Sequence, residues 1–168
     1  MMKRLARLRV PLGFACFAVA YVLAQPTRRS MLIGMSIAVA GEAIRLWASG
    51  HISKGREVTR SGPYAFVRHP LYLGSAFMGV GFVAASRSVI VAAIVLAYLG
   101  LTLLAAIRTE EAVLDARFSG EYSAYRDGRA EPDRRPFSIA RVAANKEYRG
   151  VAGLVLAMVL LWVRMRFG

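Results

Sequence analysis

Cysteine, histidine and acidic side chains are all scarce in this sequence. The 168 residues include one cysteine (Cys16), two histidines and ten acidic residues. A single cysteine excludes an internal disulfide and a zinc site built from several cysteines, and two histidines leave little room for a histidine-rich metal centre. Charged residues make up 20% of the chain, below the roughly 25% of soluble domains. These shortages exclude a disordered acidic chain and disfavour an ordinary cytosolic enzyme, and we predict no bound metal.

Apolar residues, by contrast, make up 57% of the chain and fall into five long runs, at residues 10–24, 30–49, 71–85, 89–107 and 151–163. A membrane-spanning helix needs about 20 residues, which the second and fourth runs supply. Bilayer thinning and snorkelling arginines accommodate shorter spans. The first run also resembles a cleavable signal peptide, and cleavage would leave the remaining topology unchanged. We therefore predict an all-α integral membrane bundle of about five transmembrane helices.

The charge distribution predicts the orientation of this bundle. The 23 basic residues give a net charge of +13. If the N-terminus is cytoplasmic, segments 1–9, 50–70 and 108–149 carry 4, 4 and 9 of them, and the opposite side carries five. This asymmetry follows the positive-inside rule and predicts that the C-terminus lies on the opposite side of the membrane. Anionic lipid headgroups account for the charge, so we predict no nucleic-acid partner.

The turn between the third and fourth runs comprises only residues 85–88, which predicts an antiparallel helical hairpin. At 1.5 Å per residue, His69 lies about 27 Å before this turn and Glu110 about 34 Å after it. Both residues should therefore reach the cytoplasmic interface. Segments 60–74 and 108–125 are expected to build one site there.

The densest group of chemically interesting residues is segment 61–74. Its Gly-Pro pair indicates a turn, and Pro70 suits the first turn of a helix. This places Arg68 and His69 at a helix N-terminus, where free N–H groups favour an anion. The alternative is a well-formed helix start with an interfacial belt of aromatic residues.

Acidic side chains lie at two places in the apolar runs or at their ends. Glu110 and Glu111 are adjacent and point about 100° apart on a helix, so only one of them faces a given site. It could hold a cationic group or a ribose, or it could be a solvated helix end beside Arg108. Glu42 and Arg45 lie within the second run, where ionisable residues usually face a cavity or each other. Glu42 and Arg45 could form a structural ion pair, or they could line a ligand site, and the sequence leaves both possibilities open.

Together these segments resemble the isoprenylcysteine carboxyl methyltransferase and phospholipid methyltransferase superfamily. The likeness lies in Gly-Pro-Tyr followed by Arg-His-Pro-Leu-Tyr-Leu-Gly at 62–74, in the hairpin, and in the glutamate pair. It continues at Leu114, Phe118, Glu121, Tyr122 and Tyr125, and covers roughly residues 41–137. Upstream, segment 45–51 resembles bacterial members, which implies a protein of the bacterial inner membrane. The Ser-Gly pair at 119–120 departs from the family, in which Phe-Gly usually follows directly. The resemblance implies a single domain over 1–168, with two spans in 1–50, a catalytic core in 51–137 and a last span in 138–168.

The resemblance also implies S-adenosylmethionine as the methyl donor, S-adenosylhomocysteine as the product, and a cofactor site at the cytoplasmic side of the hairpin. The acceptor would be a membrane lipid or lipophilic small molecule: an isoprenylcysteine-type carboxylate, a thiol or a phospholipid amine. Arg108, Glu110 and His69 carry over as catalytic residues, with Arg108 facing the acceptor. The cofactor contacts that carry over are His51, Arg56, Glu57, Val58, Thr59, Tyr64, Arg68, His69, Pro70, Leu71, Tyr72, Glu110 and Glu111.

Two other functions fit the sequence less well. Membrane sterol reductases share a similar C-terminal region and bind NADPH there, but they are much longer. A non-catalytic membrane module could keep the same fold. Binding of the methyl donor would separate the methyltransferase from both.

Overall fold

The computed structural model describes residues 2–53 and 55–168, and in that part of the chain it is helical without strands. Its α-helices are α1 (Met2–Leu23), α2 (Arg28–Ser49), α3 (Pro70–Ser86), α4 (Val89–Arg117), α5 (Ser119–Arg126), α6 (Ile139–Ala144) and α7 (Tyr148–Phe167), with a short 3-10 helix at Gly62–Ala65. The predicted all-α fold is confirmed.

The five predicted apolar runs all lie in helices. Helices α2, α4 and α7 are long and apolar enough to cross a membrane, and α3 and the Leu12–Leu23 part of α1 are shorter apolar helices. In α4, only 6% of the most apolar stretch is buried, so this helix is largely available to lipid. The chain is an integral membrane protein.

The turn between α3 and α4 is as tight as the sequence predicts. Arg87 ends α3 with a φ of 52°, in the left-handed region, and the Ser88 side chain accepts a hydrogen bond from the Val91 N–H at the start of α4. Pro70 opens α3 at the other end, where it has no helical hydrogen bond to lose. The hairpin thus returns the chain to the face at which α3 begins.

Helices α2 and α3 form an unusually close seam through four glycines. A Cβ atom added at Gly81 would lie 2.5 Å from the carbonyl oxygen of Gly34, and one added at Gly41 would lie 2.6 Å from that of Gly74. No larger residue fits at these separations. Small residues that bring helix backbones together in this way are typical of membrane bundles.

A buried ionic cluster links α2 and α3 to the start of α7. The Arg45 guanidinium lies 2.7 Å from the Glu147 carboxylate and 3.6 Å from that of Glu42. It also donates to the Ser75 hydroxyl at 2.6 Å. Of the two interpretations of Glu42 and Arg45, the structure favours an ion pair within the packing between helices.

The chain departs from its predicted path after α4. The sequence predicts that residues 117–125 prolong the fourth helix, but the backbone breaks at Phe118 (φ −131°, ψ 42°) and α5 starts anew. The Ser-Gly pair that follows Phe118 weakens helical continuity. As a result Tyr122 folds back into the protein, where it is only 1% exposed.

Candidate active site

A cavity of about 180 Å³ lies where the C-terminal end of α4, the N-terminal end of α3 and helix α5 meet the segment after α2. Seven predicted site residues line it: Glu57, Val58, Thr59, Tyr64, Arg68, His69 and Glu110. The hairpin therefore joins segments 60–74 and 108–125 in one site, as expected from the depth of each residue in the membrane.

The centre of this arrangement is a contact between the two arms of the hairpin. The His69 Nε2 lies 3.0 Å from Glu111 Oε1, and the Arg68 guanidinium lies 3.5 Å from the same oxygen. Glu111 thus holds the imidazole, whereas its neighbour Glu110 faces the cavity, consistent with their 100° separation. A histidine oriented by a carboxylate is suited to accept a proton.

Three hydroxyl groups in the cavity wall are buried without a hydrogen-bond partner among the described residues. They belong to Thr59, Tyr64 and Tyr122. Buried polar groups are rarely left unpaired in native proteins, so these hydroxyls are available to a ligand. The backbone carbonyl of Tyr64 is already used, because it accepts a 2.7 Å hydrogen bond from the Tyr125 hydroxyl.

Both unpaired phenols are protonated at physiological pH. Burial is the main cause that raises the pKa of Tyr64. Burial and the neighbouring Glu111 carboxylate raise the pKa of Tyr122 to about 12. Tyr122 lies near that carboxylate without forming a hydrogen bond of good geometry with it. The cavity therefore offers neutral hydroxyl donors beside the side chains of Glu110 and Arg68.

One wall of the cavity is fixed by an ion pair. Both carboxylate oxygens of Glu57 accept hydrogen bonds from Arg135, which also donates to the Ser53 hydroxyl at 3.2 Å. The hydrogen bonds from this guanidinium hold the pKa of Glu57 below its usual value. The segment after α2 is thereby tied to the loop between α5 and α6.

His51 supports the cavity from behind and does not line it. Its Nδ1 lies 3.2 Å from the Ser61 hydroxyl, and its ring packs edge-on against Phe137, with 6.1 Å between the ring centres. Gly62 is required beside it: its φ is 58°, and a Cβ there would lie 2.5 Å from the imidazole. Burial lowers the pKa of His51, which favours the neutral ring.

The other predicted contacts lie outside the cavity wall. Arg56 and Arg108 are exposed and do not line it. Pro70 is buried at the start of α3, and Leu71 packs against a small apolar cluster that includes Tyr64. The Tyr72 ring lies 5.8 Å from that of His69. These residues shape the site or flank it in this structure, and their roles as cofactor or acceptor contacts stay predictions.

The segments that build this cavity lie largely within one family match. A family model described as phospholipid methyltransferase matches residues 8–121, more than half of the chain. The chain belongs to the phospholipid methyltransferase family. This confirms the superfamily that the hairpin and its motifs resemble.

Two curated relatives of this phospholipid methyltransferase family member carry names that refer to metal resistance. The nickel-cobalt-cadmium resistance protein NccN of Alcaligenes xylosoxydans xylosoxydans is 36% identical over 89 residues, which cover 52% of this chain and 40% of the relative. The cobalt-zinc-cadmium resistance protein CzcN of Cupriavidus metallidurans is 35% identical over 96 residues, which cover 56% and 43%. The matches span less than half of either relative. No solved structure matches the chain with statistical significance.

Five residues of the cavity wall were not among the predicted contacts: Ile52, Gly55, Leu114, Tyr122 and Tyr125. For Leu114 and the two tyrosines a signal existed, since they belong to the stretch that resembles the superfamily. Ile52 and Gly55 have no chemical signature of their own. Arg135 shapes the site through Glu57, and nothing in the sequence pairs two charges that are 78 residues apart.

Proposed function

We propose that this phospholipid methyltransferase family member transfers a methyl group from S-adenosylmethionine to a lipophilic acceptor at the membrane face that contains the cavity. The observation that carries the proposal is the group of buried, unpaired hydroxyls of Thr59, Tyr64 and Tyr122 beside Arg68 and Glu110. A site with such groups is suited to a ligand that has many polar atoms and charges of both signs.

The chemistry of the donor matches these groups one by one. The Glu110 carboxylate suits the ammonium group or the ribose, and Arg68 suits the carboxylate. The free hydroxyls supply hydrogen bonds to ribose or adenine, and the face of an aromatic ring such as Tyr64 is favourable near a sulfonium cation. The donor supplies an activated methyl group, and the protein has to align the acceptor with it and exclude water.

The volume of the cavity adds a requirement for movement. Ligand pockets usually measure about 300–1,000 Å³, whereas this one measures about 180 Å³. The whole donor therefore needs one wall to shift. The segment that the Glu57–Arg135 ion pair holds is the natural candidate, because both side chains of this pair are partly exposed. Closure of such a segment over the donor would exclude water.

The nature of the acceptor decides whether a base is needed. A carboxylate is already ionised at pH 7. An amine or thiol has to lose a proton, and His69, oriented by Glu111 at 3.0 Å, is then the general base. The lipid-exposed surface of α4 next to the cavity supports an acceptor that resides in the bilayer. The family match favours methyl transfer over the reductase that the sequence left open.

Calorimetric titration of the detergent-purified protein with S-adenosylhomocysteine tests donor binding, with NADPH as the comparison ligand. We expect saturable binding of the first ligand only. Glu110→Gln removes a charged hydrogen-bond acceptor, worth about 1.5–3 kcal/mol, and should weaken binding roughly 10- to 100-fold. Tyr122→Phe removes a neutral hydrogen bond and should weaken it about 2- to 10-fold. Glu131→Gln, at an exposed position outside the cavity, is the matched control.

The outcomes separate the three functions. Binding of NADPH alone would establish the reductase, and binding of neither ligand by folded protein would establish the non-catalytic module. Equal affinities for wild type and Glu110→Gln would show that the cavity is not the donor site. With binding established, labelled donor offered with phosphatidylethanolamine vesicles, a prenylated cysteine or an alkyl thiol identifies the acceptor class by the product that gains the label.

A further inference from the structure

A second, larger concavity lies between α2 and α7, at the opposite membrane face from the active-site cavity. It measures about 1090 Å³ and is lined by apolar side chains, among them Met31, Met35, Met158 and Trp162. Arg28 and Arg166 stand at its mouth, one at the start of α2 and the other at the end of α7. This groove has no role in the proposed methyl transfer.

The charges at this face are unbalanced. All ten acidic residues of the chain lie between positions 42 and 147, whereas Arg28, Arg29, Arg87, Arg164 and Arg166 lie at the ends of helices on the opposite side. The Arg164 side chain donates to the carbonyl of Val22. Neither Arg28 nor Arg166 forms an ion pair with another residue that the structure describes. The two guanidinium groups at the mouth of the groove therefore have no carboxylate partner among the described residues and are open to an external anion.

The length of the groove matches one leaflet of a bilayer. From Arg28 to Val39, its deepest lining residue on α2, the helix rises about 17 Å at 1.5 Å per residue, about half of a hydrocarbon core of about 30 Å. Its volume is slightly above the roughly 300–1,000 Å³ of ligand pockets. The lining methionines are flexible and adapt to irregular apolar shapes. A groove with these dimensions and a cationic mouth is complementary to a single phospholipid.

We propose that this groove binds one anionic phospholipid of the leaflet opposite the active site. Its phosphate lies between Arg28 and Arg166, and an acyl chain runs inward along α2 and α7. The acyl chain of a zwitterionic lipid would fill the apolar part of the groove, but its headgroup would not neutralise the excess positive charge at the mouth.

Trp162 is a built-in reporter for this site, because it lines the groove and the only other tryptophan, Trp47, can be removed as Trp47→Phe. The Trp47→Phe protein is reconstituted in phosphatidylcholine vesicles that contain a minor fraction of phosphatidylglycerol brominated near the carbonyl end of one chain. A matched set contains brominated phosphatidylcholine at the same fraction. Two arginines near an anionic headgroup should make phosphatidylglycerol quench Trp162 with about tenfold or greater preference.

The preference for phosphatidylglycerol should disappear in the double variant Arg28→Gln/Arg166→Gln. It should persist in the control Arg29→Gln/Arg87→Gln, which loses the same charge at the same face but outside the groove. Equal quenching by both lipids in the Trp47→Phe protein alone would overturn the proposal, since it would show ordinary annular lipid. Loss of preference in both double variants would attribute it to the overall charge of this face. Protection of Trp162 from both lipids would show that a second copy of the chain covers the groove.

Discussion

Replacing Arg45 with methionine should destabilise the protein far more than the loss of an exposed arginine would. Methionine keeps an apolar stem of similar length but removes the charge that lies 2.7 Å from Glu147 and 3.6 Å from Glu42. Both carboxylates belong to residues that are no more than 5% exposed. They would be left close together without a counter-charge, and the Ser75 hydroxyl would lose its donor.

The size of the effect follows from this burial. Breaking a buried ion pair by removing one partner costs about 3–5 kcal/mol. For chains of 150–250 residues, each kcal/mol shifts Tm by about 2–4 °C, so we expect Tm to fall by about 6–20 °C. The assay is thermal unfolding in detergent at neutral pH, followed by circular dichroism. Arg149→Met, at an exposed position near the start of α7, is the control and should shift Tm by no more than about 2 °C, since exposed substitutions cost little.

A charge-balanced variant separates electrostatics from packing. In Arg45→Met/Glu42→Gln/Glu147→Gln no buried charge is left uncompensated, so most of the lost Tm should return, because neutral replacements for buried ion pairs are often tolerated. If Arg45→Met unfolds like the Arg149 control, the cluster does not hold α2, α3 and α7 together. If the triple variant is no more stable than Arg45→Met, the guanidinium acts through packing and not through charge.

Three further predictions concern other parts of the molecule. Gly81→Ala should lower Tm through the clash at the α2–α3 seam, whereas Gly153→Ala, with open space around it, should leave Tm unchanged or raise it; equal effects would refute the close seam. The Arg135 guanidinium lowers the pKa of Glu57, so this pair stabilises the fold above pH 4.5, the usual pKa of the carboxyl, and the stabilisation is lost as pH falls through the lower folded pKa. The Tm difference between wild type and Glu57→Gln should therefore be constant near neutral pH and vanish in acid, and a pH-independent difference would contradict this. Alkylation of Cys16 should leave the affinity for S-adenosylhomocysteine intact, because Cys16 is not among the residues that line the cavity; loss of binding by folded protein would place α1 in the site.

Features that depend on local pattern could be predicted from the sequence. The apolar runs are long, so all five appear as helices. The short connection at 85–88 fixes the hairpin, and the hairpin brings His69 and Glu111 together across 42 positions. The family motifs located the cavity because their residues lie at the ends of these helices.

Features that depend on distant or weakly patterned contacts could not be predicted. The break at Phe118 rests on backbone angles that no strong helix-stop signal announces, and it is this break that buries Tyr122. Arg135 and Glu147 each meet a partner 78 or 102 residues away. Charges alone do not specify such pairs, because several other arginines in the chain could have paired with the same glutamates.

The α2–α3 seam also bears on the route by which the proposed lipophilic acceptor would reach the cavity. The close contacts at Gly34 and Gly41 are seven positions apart, so the two backbones touch along about 10 Å of the hydrocarbon region. An acyl or prenyl tail cannot pass between helices in such contact. In the proposed function, the acceptor would instead enter along the flank formed by α4, whose surface is open to the bilayer and whose end carries Glu110 into the cavity. The glycine seam thus closes the gap between α2 and α3 to a lipid tail and leaves the α4 flank open.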